Sequence, residues 1–369
     1  MRILMVTPHL PPHQAANALL PHLLGESARA HGHEVHYLAL GNGAPRPDAV
    51  FVRRRLSGLR LTRLPQLIEG IETWARGAPL VRWADVVHIH SNTWMNQVAA
   101  AIAWRVGRPY VLTHYGTEIW HYNGRSAAFR RLNARARRVT YYSQALFDRA
   151  RELGLATGHA CVVYPPVSDA FHVAQAESRT RVRRELQADS GPLLLNVKRL
   201  HPTADHVTLV EAFARVRASR PDARLLIAGI GETEPDIRTA IERLGLHESV
   251  RLLGQVPNER VAALQGAADL FVLSSVLEAT PTVALEALAS GTPVVSTDSP
   301  GGVELATLFG DDIVVVLRRD PAALAQAIVA FLEQPRRART QTAQRIEERF
   351  RLDSVSARYL ALYEEAVGK

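Results

Sequence analysis

The chain has 369 residues, 47% of them hydrophobic and 22% charged, which excludes disorder and suffices for two ordinary globular cores. No run approaches the roughly 20 apolar residues of a membrane-spanning helix. The net charge of +8 is unevenly spread: residues 1–170 hold 20 arginines against 10 acidic residues, and the only lysines in the chain are Lys198 and Lys369.

Short apolar runs alternate with helical patterns, the signature of βαβ units and parallel sheets. A strand is predicted over 2–7. It carries one charge and runs into His9 and two prolines, so it reads as a first strand and not as a signal peptide. A helix follows over 15–31, ended by Gly32, then a strand over 34–39. Residues 41–63 are rich in Gly, Pro and Arg and read as a loop with room for one short strand. Strands at 85–89 and 109–113 flank a helix over 92–106, and strands at 139–142 and 161–164 close the first half. The lone Cys161 can form no internal disulfide, which suits a reducing cytoplasm.

Pro165 and Pro166 fix an extended path over 164–169, a linker. It separates a first domain, 1–166, from a second, 167–349. In the second, strands are predicted at 193–197, 224–228, 250–253, 269–273, 293–296 and 313–316. Helices are predicted at 206–219, 236–244, 258–267, 282–290 and 321–333. The stretch 355–366 is amphipathic and carries Tyr359 and Tyr363. In two doubly wound domains that face one another, ligands lie at the carboxyl ends of the strands, in the cleft between them.

The most informative motif spans 277–286, after a buried strand and opening a helix. Thr280 fits an N-cap and Pro281 the first helical position. Unpaired amides at a helix N-terminus favour a diphosphate. Glu278 stands just before that end and Glu286 lies inside the helix, so each can accept from a pair of sugar hydroxyls, one on a transferred sugar and one on a ribose. The plainer reading is that Glu278 favours the helix dipole and Glu286 is a solvated helix residue. Lys198 and Arg199 follow the first strand of the second half and suit phosphate oxygens; the alternative is a surface pair flanking a turn.

Several segments then recur in a fixed order: Arg199-Leu200-His201-Pro202, Gly229-Ile230-Gly231-Glu232, Leu253-Gly254-Gln255-Val256, the buried strand with Ser274-Ser275, the two glutamates eight apart, Gly291-Thr292-Pro293, and Pro300-Gly301-Gly302-Val303-Glu304. Together they resemble the donor-binding half of glycosyltransferase family 4, retaining enzymes of GT-B fold. The opening strand, Pro11-Pro12 and Gly32-His33-Glu34-Val35 fit that family's first half more loosely.

The resemblance implies an α/β GT-B protein, two Rossmann-like parallel-sheet domains with a cleft between them, in which 350–369 returns to the first domain. It implies a retaining, metal-independent glycosyltransferase of the hexosyltransferase class. The substrate would be a nucleotide-diphosphate sugar, such as a UDP- or GDP-sugar, with no separate cofactor and no metal. Glu278 would contact the donor sugar and Glu286 the ribose. Arg199 would hold the diphosphate, and the backbone around Gly229, Gln255 and Val256 would frame the base. The main chain at Ala279, Thr280, Pro281 and Thr282 would mark the phosphate and sugar region.

Three departures stand out. The family's lysine beyond the arginine is replaced by Ala204-Asp205, and Lys198 is the candidate substitute. The family's Thr-x-His-Gly segment reads Thr113-His114-Tyr115-Gly116, so either His114, as a catalytic contact, or Tyr115, on the acceptor side, fills the histidine place; strand alternation points them opposite ways. The glycine loop after the first strand is Gln14-Ala15-Ala16-Asn17, where Asn17 is the candidate side-chain contact.

Trp120, with Trp94, His121 and Tyr122, suits stacking on an acceptor, or else domain packing. The acceptor is read as a glycan, a lipid-linked sugar or a small molecule. Arg53–Arg55 and the arginines from Arg130 to Arg138 fit an anionic membrane surface, the alternative being a solvated arginine-rich face. Nucleic acid is not expected, because no aromatics interleave a basic groove. A nicotinamide dehydrogenase is disfavoured because the first strand lacks the glycine fingerprint. A phosphorylase or epimerase of the same fold and a non-catalytic nucleotide-sugar-binding relative are the remaining alternatives.

Overall fold

The computed structural model describes residues 1–13, 16–41, 46–53, 64–155, 157–188 and 191–368, apart from the side chains at 64 and 65. Arg54 and Arg55 of the arginine run, and Gln14 and Ala15 of the loop after the first strand, lie outside the described residues. The chain forms two compact units, Met1–Pro165 with Leu352–Lys369, and Pro166–Arg351.

The first unit is built on seven parallel strands: β1 (Arg2–Thr7), β2 (Glu34–Leu40), β3 (Ala49–Val52), β4 (Val86–His90), β5 (Tyr110–His114), β6 (Arg138–Tyr141) and β7 (Ala160–Val162). Their order is β3-β2-β1-β4-β5-β6-β7, so the chain reverses direction across the sheet between β1 and β4. β4 and β5 are buried along their whole length, as strands covered on both faces must be.

Several helices went unread in the sequence. Leu64–Trp83 is the longest, and it contains Pro65, Gly70, Gly77 and Pro79, residues that punctuate a helical pattern. Two of these are packing devices. A Cβ on Gly77 would lie 2.9 Å from Leu38, and one on Gly70 would lie 3.1 Å from the Trp94 indole nitrogen. Ala127–Arg135 and Gln144–Glu152 are short, but each has a readable start: the hydroxyls of Ser126 and Ser143 accept from the amides of Phe129 and Leu146. Ala176–Glu185 buries only Val182, so it has no apolar period to read.

The last helix, Leu352–Val367, belongs to the first unit and lies on its sheet. The Tyr363 hydroxyl is 2.6 Å from Nδ1 of His88, whose Nε2 is 2.7 Å from the Thr113 hydroxyl. The Tyr359 hydroxyl reaches Thr113 at 3.3 Å and Thr140 at 3.2 Å. Every polar group in this layer is buried, and burial alone pushes His88 down to about 3, so it is neutral.

The second unit has six parallel strands: β8 (Leu193–Val197), β9 (Arg224–Ala228), β10 (Val250–Gly254), β11 (Leu270–Leu273), β12 (Val294–Thr297) and β13 (Ile313–Val316). The order is β10-β9-β8-β11-β12-β13, with the reversal between β8 and β11. Leu194, Leu225, Ile227 and Val272 pack with Phe213 and Ile328 from the covering helices. Arg337 donates to the carbonyls of Ala268 and Ser290 at 2.8 and 2.7 Å, placing one cation at the carboxyl ends of two helices. Among the described residues no helix is long and apolar enough to cross a membrane.

Candidate active site

In an open parallel sheet the crevice at the reversal point, beyond the carboxyl ends of the strands, is where ligands bind. In the second unit that point falls between β8 and β11, and the residues following both strands meet there. Lys198 leaves β8 with its amide still bonded to the Ala228 carbonyl at 2.9 Å, so its Cα stays in register with β9. Its Nζ lies 2.5 Å from Oε1 of Glu278, at 26% and 11% side-chain exposure. Arg199 is exposed beside it.

Glycine makes this convergence possible. Gly229 has φ 148°, and a Cβ there would stand 1.9 Å from the Lys198 carbonyl oxygen. Gly231, φ 159°, approaches the Leu200 carbonyl in the same way, at 2.1 Å. The Leu200 amide donates to the Ile230 carbonyl, and the Gly229 amide to Gly254. The carboxyl ends of β8, β9 and β10 are thus laced together by main chain, and Gln255, exposed, and Val256, half-buried, follow directly.

The loop carrying Glu278 is held from two sides. The Ser274 hydroxyl donates to the Ala204 carbonyl at 2.7 Å, and the Val276 amide to Thr203 at 2.8 Å. On the far side the Gly301 amide donates to the Glu278 carbonyl at 3.0 Å. Gly301 can approach only because it lacks a Cβ, which would lie 2.6 Å from the Ala279 carbonyl. The Pro300-Gly301-Gly302 motif therefore fixes the glutamate loop.

The helix start differs from the sequence expectation. The helix is Thr282–Ala289, Pro281 takes the cap position with φ −76° and ψ 90°, and no side chain caps it. Thr280 is therefore not the N-cap: extended Pro281 delays the first helical residue to Thr282. An uncapped N-terminus at this place keeps main-chain donors for an anion. Glu286 is not the solvated helix residue of the plainer reading. It is half-buried, its carboxyl has no hydrogen-bond or ion-pair partner among the described residues, and burial pushes that carboxyl up to about 7.

Two residues missed in the sequence support Lys198 from below. Asn196 on β8 donates to the Val272 carbonyl at 2.8 Å, and its Oδ1 is 3.1 Å from Nε2 of His206. Burial, with Lys198 nearby, lowers His206 to about 4, so it adds no charge under the cation. The signal was present as polar residues inside an apolar strand and at a helix start.

The first unit ends differently. His114, expected to touch the donor, is fully buried. Its Nε2 is 2.8 Å from Asn133 Oδ1, its Nδ1 is 3.5 Å from Glu118, and its ring packs on Phe129 and Tyr141. The catalytic reading of His114 is corrected on that ground: strand alternation turns the ring into the core, with both nitrogens facing protein. Burial raises the Glu118 carboxyl, but His114 and the Tyr115 amide outweigh it and hold the group below its usual range. Tyr115 points the other way. Its hydroxyl is 2.7 Å from His90 Nδ1 and its ring packs on Tyr142. His90, a third residue the sequence reading missed, keeps Nε2 buried without a partner. Asn17, whose carbonyl accepts from the Thr7 hydroxyl, has a buried and unpartnered Oδ1, and Trp120 a buried, unpartnered Nε1.

Two doubly wound parallel units of this kind define the GT-B class of glycosyltransferase fold. The profile described as glycosyl transferases group 1 matches residues 178–350, and that of Glycosyltransferase Family 4 matches residues 22–171. The chain is 28% identical over 334 residues to the uncharacterized glycosyltransferase MJ1607 of Methanocaldococcus jannaschii, covering 83% of this chain and 82% of that one. It is 29% identical over 360 residues to the 2-deoxystreptamine N-acetyl-D-glucosaminyltransferase of Streptomyces fradiae, covering 89% and 85%. Among solved structures it resembles Alr3699/HepE of Anabaena in complex with UDP, with a TM-score of 0.81 at 20% identity over 99% of this chain and 100% of that one. The chain belongs to the group 1, family 4 glycosyltransferases, and it is a transferase enzyme.

Proposed function

We propose that this enzyme moves a sugar from a nucleotide-diphosphate donor, a UDP- or GDP-sugar, to a glycan, lipid-linked or small-molecule acceptor, with retention of anomeric configuration and without a bound metal. The observation that carries the reading is the Lys198–Glu278 contact beyond β8 and β11, beside an uncapped helix N-terminus. A carboxylate there can accept from donor-sugar hydroxyls. Lys198, Arg199 and the main chain at Ala279, Thr280 and Thr282 hold the diphosphate, with Pro281 shaping the turn. Gly229, Gln255 and Val256 border the base. Glu286 takes the ribose hydroxyls, its missing partners being those two groups. Solved HepE structures that hold UDP or UDP-glucose are consistent with this donor class.

The bond from the anomeric carbon to the diphosphate breaks as an acceptor oxygen attacks the same face, and the acceptor proton passes to the departing phosphate oxygen. Lys198 and Arg199 stabilise the charge that develops on the leaving group. Asn17, Tyr115 and Trp120 of the first unit face the acceptor side. The arginine-rich first half brings the acceptor reaction to an anionic membrane surface.

A screen of UDP- and GDP-sugars by thermal shift, followed by NMR of the product anomer, tests the reading. Glu278→Ala should lower turnover and Glu286→Ala weaken nucleotide binding, each roughly 10- to 100-fold, the scale of a hydrogen bond to a charged group. An inverted product, or activity lost to EDTA and restored by magnesium, would overturn the chemistry.

A further inference from the structure

Two helices of the first unit turn large apolar side chains outward. Leu64–Trp83 buries Thr73, Ala78 and Val81 and exposes Leu67 (59%), Ile71 (59%) and Trp74 (56%). Spacings of four and three put these on one stripe, where an ordinary surface helix carries polar residues. Trp94–Arg105 runs beside it, with Trp94 packed against Gly70. That helix buries Met95, Ala99, Ile102 and Ala103 and leaves Trp94 and Trp104 open.

Next to these indoles lies a hollow of about 420 Å³ between Trp94–Arg105 and Ala127–Arg135. It is lined by both tryptophans and by Arg105, Arg131 and Arg135, and by no acidic side chain. The Arg135 guanidinium lies 3.6 Å from the centre of the Trp104 ring. Apolar stripes with indoles and unopposed arginines combine the two features that an interfacial surface needs: side chains for the acyl boundary and cations for lipid phosphates. A second copy of this chain fits less well, because a two-fold pairing would bring together two patches of the same positive sign.

We propose that Leu67, Ile71, Trp74 and Trp104, with Arg131 and Arg135, form the face by which this enzyme docks on an anionic lipid bilayer. The proposal rests on the membrane reading above and names its surface. The indoles would sit at headgroup level and the arginines on the lipid phosphates, with none of the described helices crossing the bilayer.

Sedimentation of the full chain with phosphatidylcholine vesicles, with and without phosphatidylglycerol, tests it. The wild type should pellet only with the anionic vesicles and be released by high salt. Arg131→Glu with Arg135→Glu should weaken partition at least 25-fold, at roughly fivefold for each arginine lost. Ile71→Asn with Trp74→Ser should weaken it about tenfold or more. The second pair alters only exposed side chains, so its melting temperature should match the wild type and exclude misfolding as the cause. Wild type left in the supernatant with both lipids overturns the membrane reading and this proposal together. Wild type that binds, with both variants binding equally well, leaves the membrane reading standing and overturns the face. A dimer in gel filtration that Ile71→Asn with Trp74→Ser converts to monomer assigns the face to self-association and also overturns the proposal.

Discussion

The carboxyl ends of the two sheets meet their reversal points with opposite chemistry. Beyond β8 and β11 the second unit gathers formal charge, Lys198 on Glu278 with Arg199 open beside them, around main chain that glycines bring into contact. Around β4 and β5 the first unit gathers neutral rings: His88, His90, Tyr115 and Tyr142 stack and hydrogen-bond one another, with burial holding the imidazoles uncharged and the phenols protonated. A site for a diphosphate must compensate two phosphate charges, whereas one that positions neutral hydroxyls gains from fixed dipoles and a low dielectric. Under the reading proposed above, the charged end of the second unit is the one that takes the diphosphate.

The largest test of this contrast is Gly229→Ala. The new Cβ would meet the Lys198 carbonyl at 1.9 Å, and the main chain that carries each is hydrogen-bonded to a neighbouring strand. Relief has to displace Lys198 itself, and a shift of about 1 Å at a reacting centre can cost roughly 100-fold. Donor turnover should fall by about that factor, with a stability loss of roughly 1–3 kcal/mol from the strained φ. Wild-type turnover in Gly229→Ala would show that the lacing of β8 to β9 does not place the cation.

Glu286 gives a smaller effect with a sign that pH reveals. Its carboxyl is raised to about 7 by burial, so near neutrality it is divided between neutral and charged forms. The charged form is the better acceptor for two ribose hydroxyls, so UDP affinity should rise about tenfold from pH 6 to pH 8 and be flat in Glu286→Gln. Stability should run the other way. The unfolded carboxyl ionises near 4.5 and the folded one only near 7, so the native state is penalised increasingly between those values and fully above them. Glu286→Gln should therefore melt a few degrees higher than wild type at pH 8 and equally at pH 4. Calorimetry across that range checks both, and an affinity independent of pH in the wild type would sink the ribose assignment.

The second unit was the more legible because its rules are local. The helices 206–219, 258–267 and 321–333 have ends set by apolar period, Pro321 or a glycine nearby, and three of its six strands match the sequence reading residue for residue. Lys198 and Glu278 were readable because each follows a buried strand. What the sequence did not reveal depends on distant contacts. Whether Gly70 and Gly77 break a helix or let it pack is decided by Trp94 and Leu38. That His114 faces inward is decided by Asn133, nineteen residues on. The ring nitrogens of His88 are taken up by Tyr363 of the last helix and by Thr113, and Nδ1 of His90 by Tyr115, partners the strand alone does not show. The extended cap at Pro281 is likewise invisible in a motif that favours Thr280.

The smallest effect comes from that last helix. Tyr363→Phe removes the hydroxyl 2.6 Å from His88 Nδ1 and leaves a buried ring nitrogen without a partner. The expected loss is about 1–2 kcal/mol, or roughly 2–6 °C in the melting of a unit of this size. Because the contact lies wholly within the first unit, UDP affinity should be unchanged. The pH dependence separates the hydrogen bond from the burial of the imidazole. His88 is depressed to about 3 from an ordinary 6.5 because it is desolvated. Its contribution is therefore complete above pH 6.5 and is lost progressively as pH falls toward 3, where the unfolded imidazole binds a proton that the folded one refuses. Tyr363 does not cause that depression, so wild type and Tyr363→Phe should lose stability in parallel between pH 7 and pH 5. Urea unfolding at both values measures the gap. A gap that widens at pH 5 would mean His88 is already charged in the folded protein and donates to the Tyr363 hydroxyl, and the neutral-ring account of the first unit would fail.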